Sequence, residues 1–270
     1  PILKDMNMFI HELKAYRKST VIWTISLVTL VVLFLTMFPS FSKEADAFKE
    51  VMKGFPEPIR KAMGFSIDSI SSVLGFYSYM FLYITLCGAI QAMNLGTSII
   101  SKEVRGKTAD FLLTRPVTRR AIMTSKLLAS LCCLVITNVA YFIASSFMVS
   151  LVATEKYSYK IFFMISITLF FIQLMFLALG IIISVLIPKI KSVLPISLGT
   201  VFSFFVIGMF AATLGDNNMR YITPFKYFDT TYILKNSSYE VSFIIVGIVF
   251  IALAITSSYL IYSKKDVHAA

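Results

Sequence analysis

Apolar residues fall along this chain in long, nearly unbroken runs separated by short polar and charged segments. A helix needs roughly 20 apolar residues to cross a bilayer. Six runs meet that length, at 20–38, 73–99, 126–152, 159–187, 193–214 and 241–262. They predict an all-α integral membrane protein with six transmembrane helices, organised as one transmembrane domain over 1–270. A different pattern precedes the first run. Ile2, Met6, Phe9, Leu13 and Tyr16 recur at helical spacing, and Lys4, Lys14, Arg17 and Lys18 help make the other surface polar. This predicts an N-terminal amphipathic helix over 2–18 that lies in the membrane interface; a plain cap helix is the alternative.

The polar connections set the orientation. With the N-terminus inside, the cytoplasmic segments 1–19, 100–126, 188–192 and 263–270 carry fifteen Lys/Arg against five Asp/Glu. The outer loops 39–72, 153–160 and 215–240 carry ten against nine. Positive residues concentrate on the cytoplasmic side of membrane proteins, so both termini are expected in the cytoplasm. The first outer loop holds mixed charge at helical spacing from Lys43 to Lys53, then Pro56 and Pro58. It predicts a short solvated helix ended by the prolines. The last outer loop holds Tyr221, Phe225, Tyr227, Phe228 and Tyr232. These aromatics are read as anchors in the headgroup layer, with the lining of an exit as the alternative.

Composition agrees with lipid as the solvent. The chain is 57% hydrophobic and only 14% charged, against about 25% charged in soluble domains, and its mean hydropathy is +0.81. The net charge of +11 is then accounted for by the cytoplasmic segments and does not imply nucleic-acid binding. Cys87, Cys132 and Cys133 lie inside apolar runs, lack metal-ligand spacing and are read as small buried hydrophobes.

The tripeptide Gly106-Lys107-Thr108 raises the question of nucleotide binding. A P-loop requires a further glycine five residues earlier, after a strand and before a helix. Ser101 occupies that position, and a membrane helix precedes it. The segment reads instead as punctuation. Gly106 ends the second span, Thr108 starts a short helix carrying Phe111, Leu112 and Leu113, and Pro116 closes it. Thr118 then caps the next helix. Three adjacent apolar residues in a basic frame suit either a partner's groove or the underside of the first helix.

At these residues the chain resembles the ABC-2 family of ABC-transporter permeases, over nearly its whole length. The resemblance rests on His11-Glu12-Leu13-Lys14 before the first span, and on Glu103, Gly106, Thr108, Leu112-Leu113, Pro116-Val117-Thr118-Arg119 and Lys126 between spans two and three. Thr223-Pro224-Phe225-Lys226-Tyr227-Phe228 and the ending Tyr262, Lys264-Lys265-Asp266 also fit. Lys107 is an insertion relative to the family pattern. The resemblance implies the membrane subunit of a bacterial or archaeal exporter in the plasma membrane. It implies two permeases, identical or related, joined to two cytoplasmic ATPase subunits that bind ATP and Mg; this chain itself binds no cofactor and is not catalytic. It makes 103–120 the coupling segment, with Glu103, Gly106, Thr108, Phe111, Leu112, Leu113, Pro116 and Arg119 as its ATPase-coupling residues. The expected cargo is an amphipathic peptide, an antimicrobial or a lipid-like molecule.

Within the spans, Gln91, Asn94, Asn138 and Gln173 are candidates for helix packing or for a polar translocation path. Gly88, Ala92 and Gly96 form a small-residue stripe that permits close helix approach. Clear charged candidates inside the spans are absent, which disfavours a proton-coupled pump. An intramembrane protease is disfavoured too, because His11 and His268 both fall outside the spans and zinc-ligand clusters are missing. An ATP-independent channel or secondary transporter is the remaining alternative.

Overall fold

A computed structural model describes residues 2–105, 118–187 and 189–264, with side chains from 7 onward and excluding those of 103–105. The described residues contain no strand. Six long apolar helices dominate: α1 (Ile2–Lys43), α4 (Val73–Arg105), α5 (Arg119–Val152), α6 (Tyr159–Leu186), α7 (Val193–Leu214) and α10 (Val241–Lys264). Short helices decorate the connections: α2 (Ala45–Lys53), α3 (Glu57–Ala62), α8 (Asn217–Arg220), α9 (Thr230–Asn236) and a 3-10 turn at Pro224–Lys226.

The long helices alternate in direction, giving the bundle two ends. Glu12, Lys102, Lys126 and Tyr259 mark one end, here called the base. Helices α2, α3, α8 and α9 form the opposite end, the crown. At the centre α4 packs along α6, and α1 packs along α5. The central pair is held close by missing side chains. A Cβ on Gly96 would lie 2.5 Å from the Leu177 carbonyl oxygen, and one on Gly180 would lie 2.8 Å from that of Met93. The expected stripe of Gly88, Ala92 and Gly96 thus faces α6, where Gly180 is its counterpart. Leu27, Val31, Leu35 and Phe38 form the buried edge of α1, spaced one turn apart. Large apolar side chains remain exposed on α1, α5, α7 and α10, as lipid-facing surfaces require.

Several predicted boundaries change: the helices at Val73–Arg105 and Arg119–Val152 also reach beyond the predicted spans 73–99 and 126–152. The lead-in 2–18 and the first span are not separate elements, because α1 is continuous from Ile2 through Lys43. No glycine or proline interrupts it before Pro39, and nothing else in its sequence breaks a helix. Nor does Pro39 end it; Phe38 and Phe41 continue past the proline onto Phe76, with ring centroids at 5.3 and 5.0 Å. The short helix α2 forms, but Gly54 caps it before the prolines, which instead open α3 (Pro56 as its cap, Pro58 in its first turn), and α2 is not wholly solvated. Ala45 and Met52 are buried, and Phe48 packs against Phe41 and Phe65. Its outer face carries the pair Asp46–Lys49, with the lysine half-buried, and the exposed pair Glu50–Lys53.

The aromatics of the last connection are mostly not anchors. Phe225 and Tyr227 are buried in the bundle, and Phe228 packs on Phe171 and Tyr239. Tyr227 donates its hydroxyl to the Tyr221 carbonyl at 2.7 Å, which helps pin the turn. Tyr221 is exposed but stacks on Phe243 at 4.5 Å.

Candidate functional site

Two polar constellations stand out from this apolar bundle. The first is at the base. Lys126 lies two turns inside α5, and its side chain is fully buried. Its ammonium donates to Glu12 Oε1 at 3.1 Å and to the Ile99 carbonyl at 2.8 Å. The other oxygen of Glu12 accepts from Lys102, near the end of α4. The Glu12 carboxylate is also buried, so one anion between two cations ties α1, α4 and α5 together. Burying charges is costly, and the arrangement is stable because each head group has a charged partner. Tyr16 reinforces it: its hydroxyl is 2.7 Å from Ser98 Oγ, and the Lys102 ammonium sits 5.1 Å from its ring centroid. Nearby, Thr124 and Tyr259 hydroxyls lie 2.8 Å apart and join α5 to α10.

This base flanks the segment expected to couple the protein to an ATPase. Helix α4 ends at Arg105 and α5 starts at Arg119, with Thr118 as its cap. The Thr118 hydroxyl accepts from the Ala121 amide at 3.2 Å, the N-cap geometry expected from the sequence. Glu103 lies in the last described turn of α4, and Arg119 opens α5. Gly106, Thr108, Phe111, Leu112, Leu113 and Pro116 lie outside the described residues. The structure does bear on the apparent P-loop. Ser101 to Arg105 is helix, with the Ser101 hydroxyl bonded to the Thr97 carbonyl at 2.6 Å, where a phosphate-binding loop would have to be open.

The second constellation lies deeper. Gln91 donates to Thr137 Oγ1 at 2.8 Å, and Thr137 and Thr24 hydroxyls are 2.9 Å apart. Gln173 donates to Gln91 Oε1 at 3.0 Å and to the Gly88 carbonyl at 3.2 Å, and accepts from Asn138 at 2.6 Å. These five side chains link α1, α4, α5 and α6 in one hydrogen-bonded chain. Three of the four predicted polar residues are therefore brought together; Asn94 is half-buried and stands outside the network. Every member has a partner, so the group acts first as cross-helix packing. One turn or more toward the crown, the Tyr77 hydroxyl lies 2.7 Å from that of Tyr141 and 2.8 Å from Ser166 Oγ, all three buried.

Sequence reasoning missed the pairing at the base. No clear charge is read within the spans, yet Lys126 is buried; in the sequence Glu12 and Lys126 read as separate boundary charges and separate marks of a resemblance. Tyr77, Tyr141, Ser166 and Thr24 were also missed, because single hydroxyls in apolar helices usually bond their own backbone. Among the described residues no group of three His, Cys, Asp or Glu side chains could hold a metal, and the three cysteines are unpaired.

A bundle of six membrane-length apolar helices with its polar groups turned inward defines a multi-pass membrane protein. Residues 6–267 match the model of the ABC-2 family transporter proteins, and the chain belongs to that family. It is thus of the permease type, a membrane component of ABC transporters. A comparison with curated proteins gives no match.

Proposed function

We propose that this chain is the permease subunit of an ATP-driven exporter. In this reading it forms the translocation path with a second permease copy or a related one. The base faces the cytoplasm, where two separate ATPase subunits bind ATP and Mg. Segment 103–120 is the coupling element, and Phe111, Leu112 and Leu113 are its docking residues. The observation that carries the reading is the buried Glu12–Lys126–Lys102 clamp. It ties α4 and α5, the two helices that bracket the coupling segment, to α1. A displacement of that segment by an ATPase then reaches three membrane helices together. A loose connection would dissipate the same motion locally.

The cargo class is an amphipathic peptide, an antimicrobial or a lipid-like molecule, and the setting is the plasma membrane of a bacterium or archaeon. The basic excess of the base segments supports the cytoplasmic orientation.

Affinity purification of the full chain from its own membranes tests the reading. An ABC ATPase is expected to co-purify, and hydrolysis is expected only in the complex. Hydrolysis by the permease alone that stops with Lys107→Ala contradicts it. A chain that transports without any ATPase supports the channel or secondary-transporter alternative.

A further inference from the structure

The crown holds an open-mouthed cavity of about 660 Å³ between α3, α4, α6, α7, α8 and α9, a size ordinary for small-molecule sites. It is amphipathic by depth. Phe81, Leu82, Ile172 and Phe225 supply apolar wall, and the cavity reaches Thr85, about 18 Å along α4 from its start. The charged lining comes from α3, α8, α9 and the connections at the crown, not from the long helices.

Those charges do not cancel locally. Arg60, Lys61, Arg220, Lys226 and Lys235 line the cavity with Glu57, Asp68 and Asp229. Glu57 is engaged by Lys61 at 2.6 Å, and Arg220 by Glu240. Asp229 caps α9 by accepting from the Thr231 amide at 2.9 Å. Among the described residues Arg60, Lys226 and Lys235 have no carboxylate within 4.0 Å.

Lys226 is held in place rather than left to wander. The 3-10 turn that carries it is fixed by Thr223, whose hydroxyl donates to the Phe204 carbonyl at 2.8 Å, and by Arg220, which donates to the Lys226 carbonyl at 3.2 Å. The Lys226 stem runs beside Gly208 of α7, with Cγ and Cε each 3.6 Å from where a Cβ would stand, an ordinary contact distance. Burial pushes the Lys226 ammonium below the usual lysine range. A half-buried cation with no carboxylate among the described residues within 4.0 Å, on which Asp229 acts only from farther off, matches an acidic head group set against an apolar wall.

We infer that this crown cavity binds a lipid-like anionic amphiphile, with its carboxylate or phosphate on Lys226 and Arg60 and its hydrocarbon against Phe81, Leu82 and Ile172. The inference names a cargo class for the proposed exporter and rests on that reading for the step from binding to export. Binding itself needs no ATPase, so the two fail separately.

The test uses the full chain in phosphatidylcholine nanodiscs, titrated with dodecyl phosphate, dodecyltrimethylammonium and inorganic phosphate, with empty nanodiscs subtracted. Dodecyl phosphate is expected to bind saturably, one per chain. Inorganic phosphate and the cationic amphiphile are expected to show no saturable binding at the same concentrations. Lys226→Gln should weaken dodecyl phosphate by about tenfold or more, and Lys226→Arg should restore it. Thr85→Trp, which fills the floor, should weaken it independently. Equal binding of the two amphiphiles overturns the inference, as does equal binding of inorganic phosphate. So does a folded Lys226→Gln variant with unchanged affinity.

Discussion

The Lys126 ammonium lies 3.1 Å from the Glu12 carboxylate across 114 positions of sequence, both side chains buried. That contact joins the first helix to the start of α5, and through Lys102 to the end of α4. Removing one partner leaves an uncompensated buried charge, which costs about 3–5 kcal/mol. Glu12→Gln should therefore lower the thermal unfolding midpoint sharply in detergent. Adding Lys126→Met, which removes the orphaned charge, should recover part of the loss. Additive destabilisation in the double variant would contradict the pairing.

Gly96 and Gly199 are both helical glycines with opposite surroundings. A Cβ on Gly96 meets a backbone oxygen at 2.5 Å, whereas one on Gly199 meets nothing within 4 Å. Gly96→Ala should push α4 from α6 and cost about 1–3 kcal/mol. Gly199→Ala should be neutral, or stabilise by up to about 1 kcal/mol through helix propensity. Unfolding midpoints of the two variants in one detergent check this pair, and equal effects would refute the close approach.

Gln173 makes three hydrogen bonds at the centre of the intramembrane network. Each such bond averages about 0.6 kcal/mol in membrane helices, so Gln173→Leu should cost about 2 kcal/mol. Asn94→Leu should cost little, since Asn94 is outside the network. Chemical unfolding in mixed micelles reads both, and the order of the two effects is the test.

Lys226 also makes the binding of dodecyl phosphate depend on pH. Its ammonium titrates below the ordinary lysine range because burial disfavours charge; Asp229 opposes this shift and Arg220 adds to it. Glu57, Arg60, Lys61, Asp68 and Lys235 complete the charged lining, and none of the carboxylates lies within 4.0 Å of the Lys226 ammonium. As pH rises through that lowered value the cation is lost, so affinity should fall in the alkaline range before an ordinary lysine titrates. Lys226→Arg should hold its affinity to higher pH. Titrations at a series of alkaline pH values, with both proteins, measure the difference.

The spans were legible because lipid demands long apolar runs, and the observed ends of α6 and α7 fall within one residue of 159–187 and 193–214. The helix-capping role of Thr118 was legible because its cue is local. The lead-in at 2–18 was legible as a helix but not as part of α1, because amphipathic periodicity does not report where a helix bends. The site was legible only as residue types. Gln91, Asn138 and Gln173 invite a partner in hydrocarbon, but nothing in the order of residues says they choose one another. Glu12 and Lys126 were harder still. Each reads as an ordinary charge at a membrane boundary, and only the packing of α1 on α5 makes them a buried pair. Lys226 sits in a loop that reads as aromatic anchoring, and its cavity exists only when α3, α4, α6 and α7 are assembled.

The central claim is that segment 103–120 couples this permease to a separate ATPase, and Leu112→Asp tests it most directly. The measurement is ATP hydrolysis and cargo export by the complex reconstituted with the variant or the original chain. The account predicts an unchanged unfolding midpoint for the permease with loss of export and of its link to hydrolysis. Full hydrolysis together with full export by the Leu112→Asp complex would contradict it.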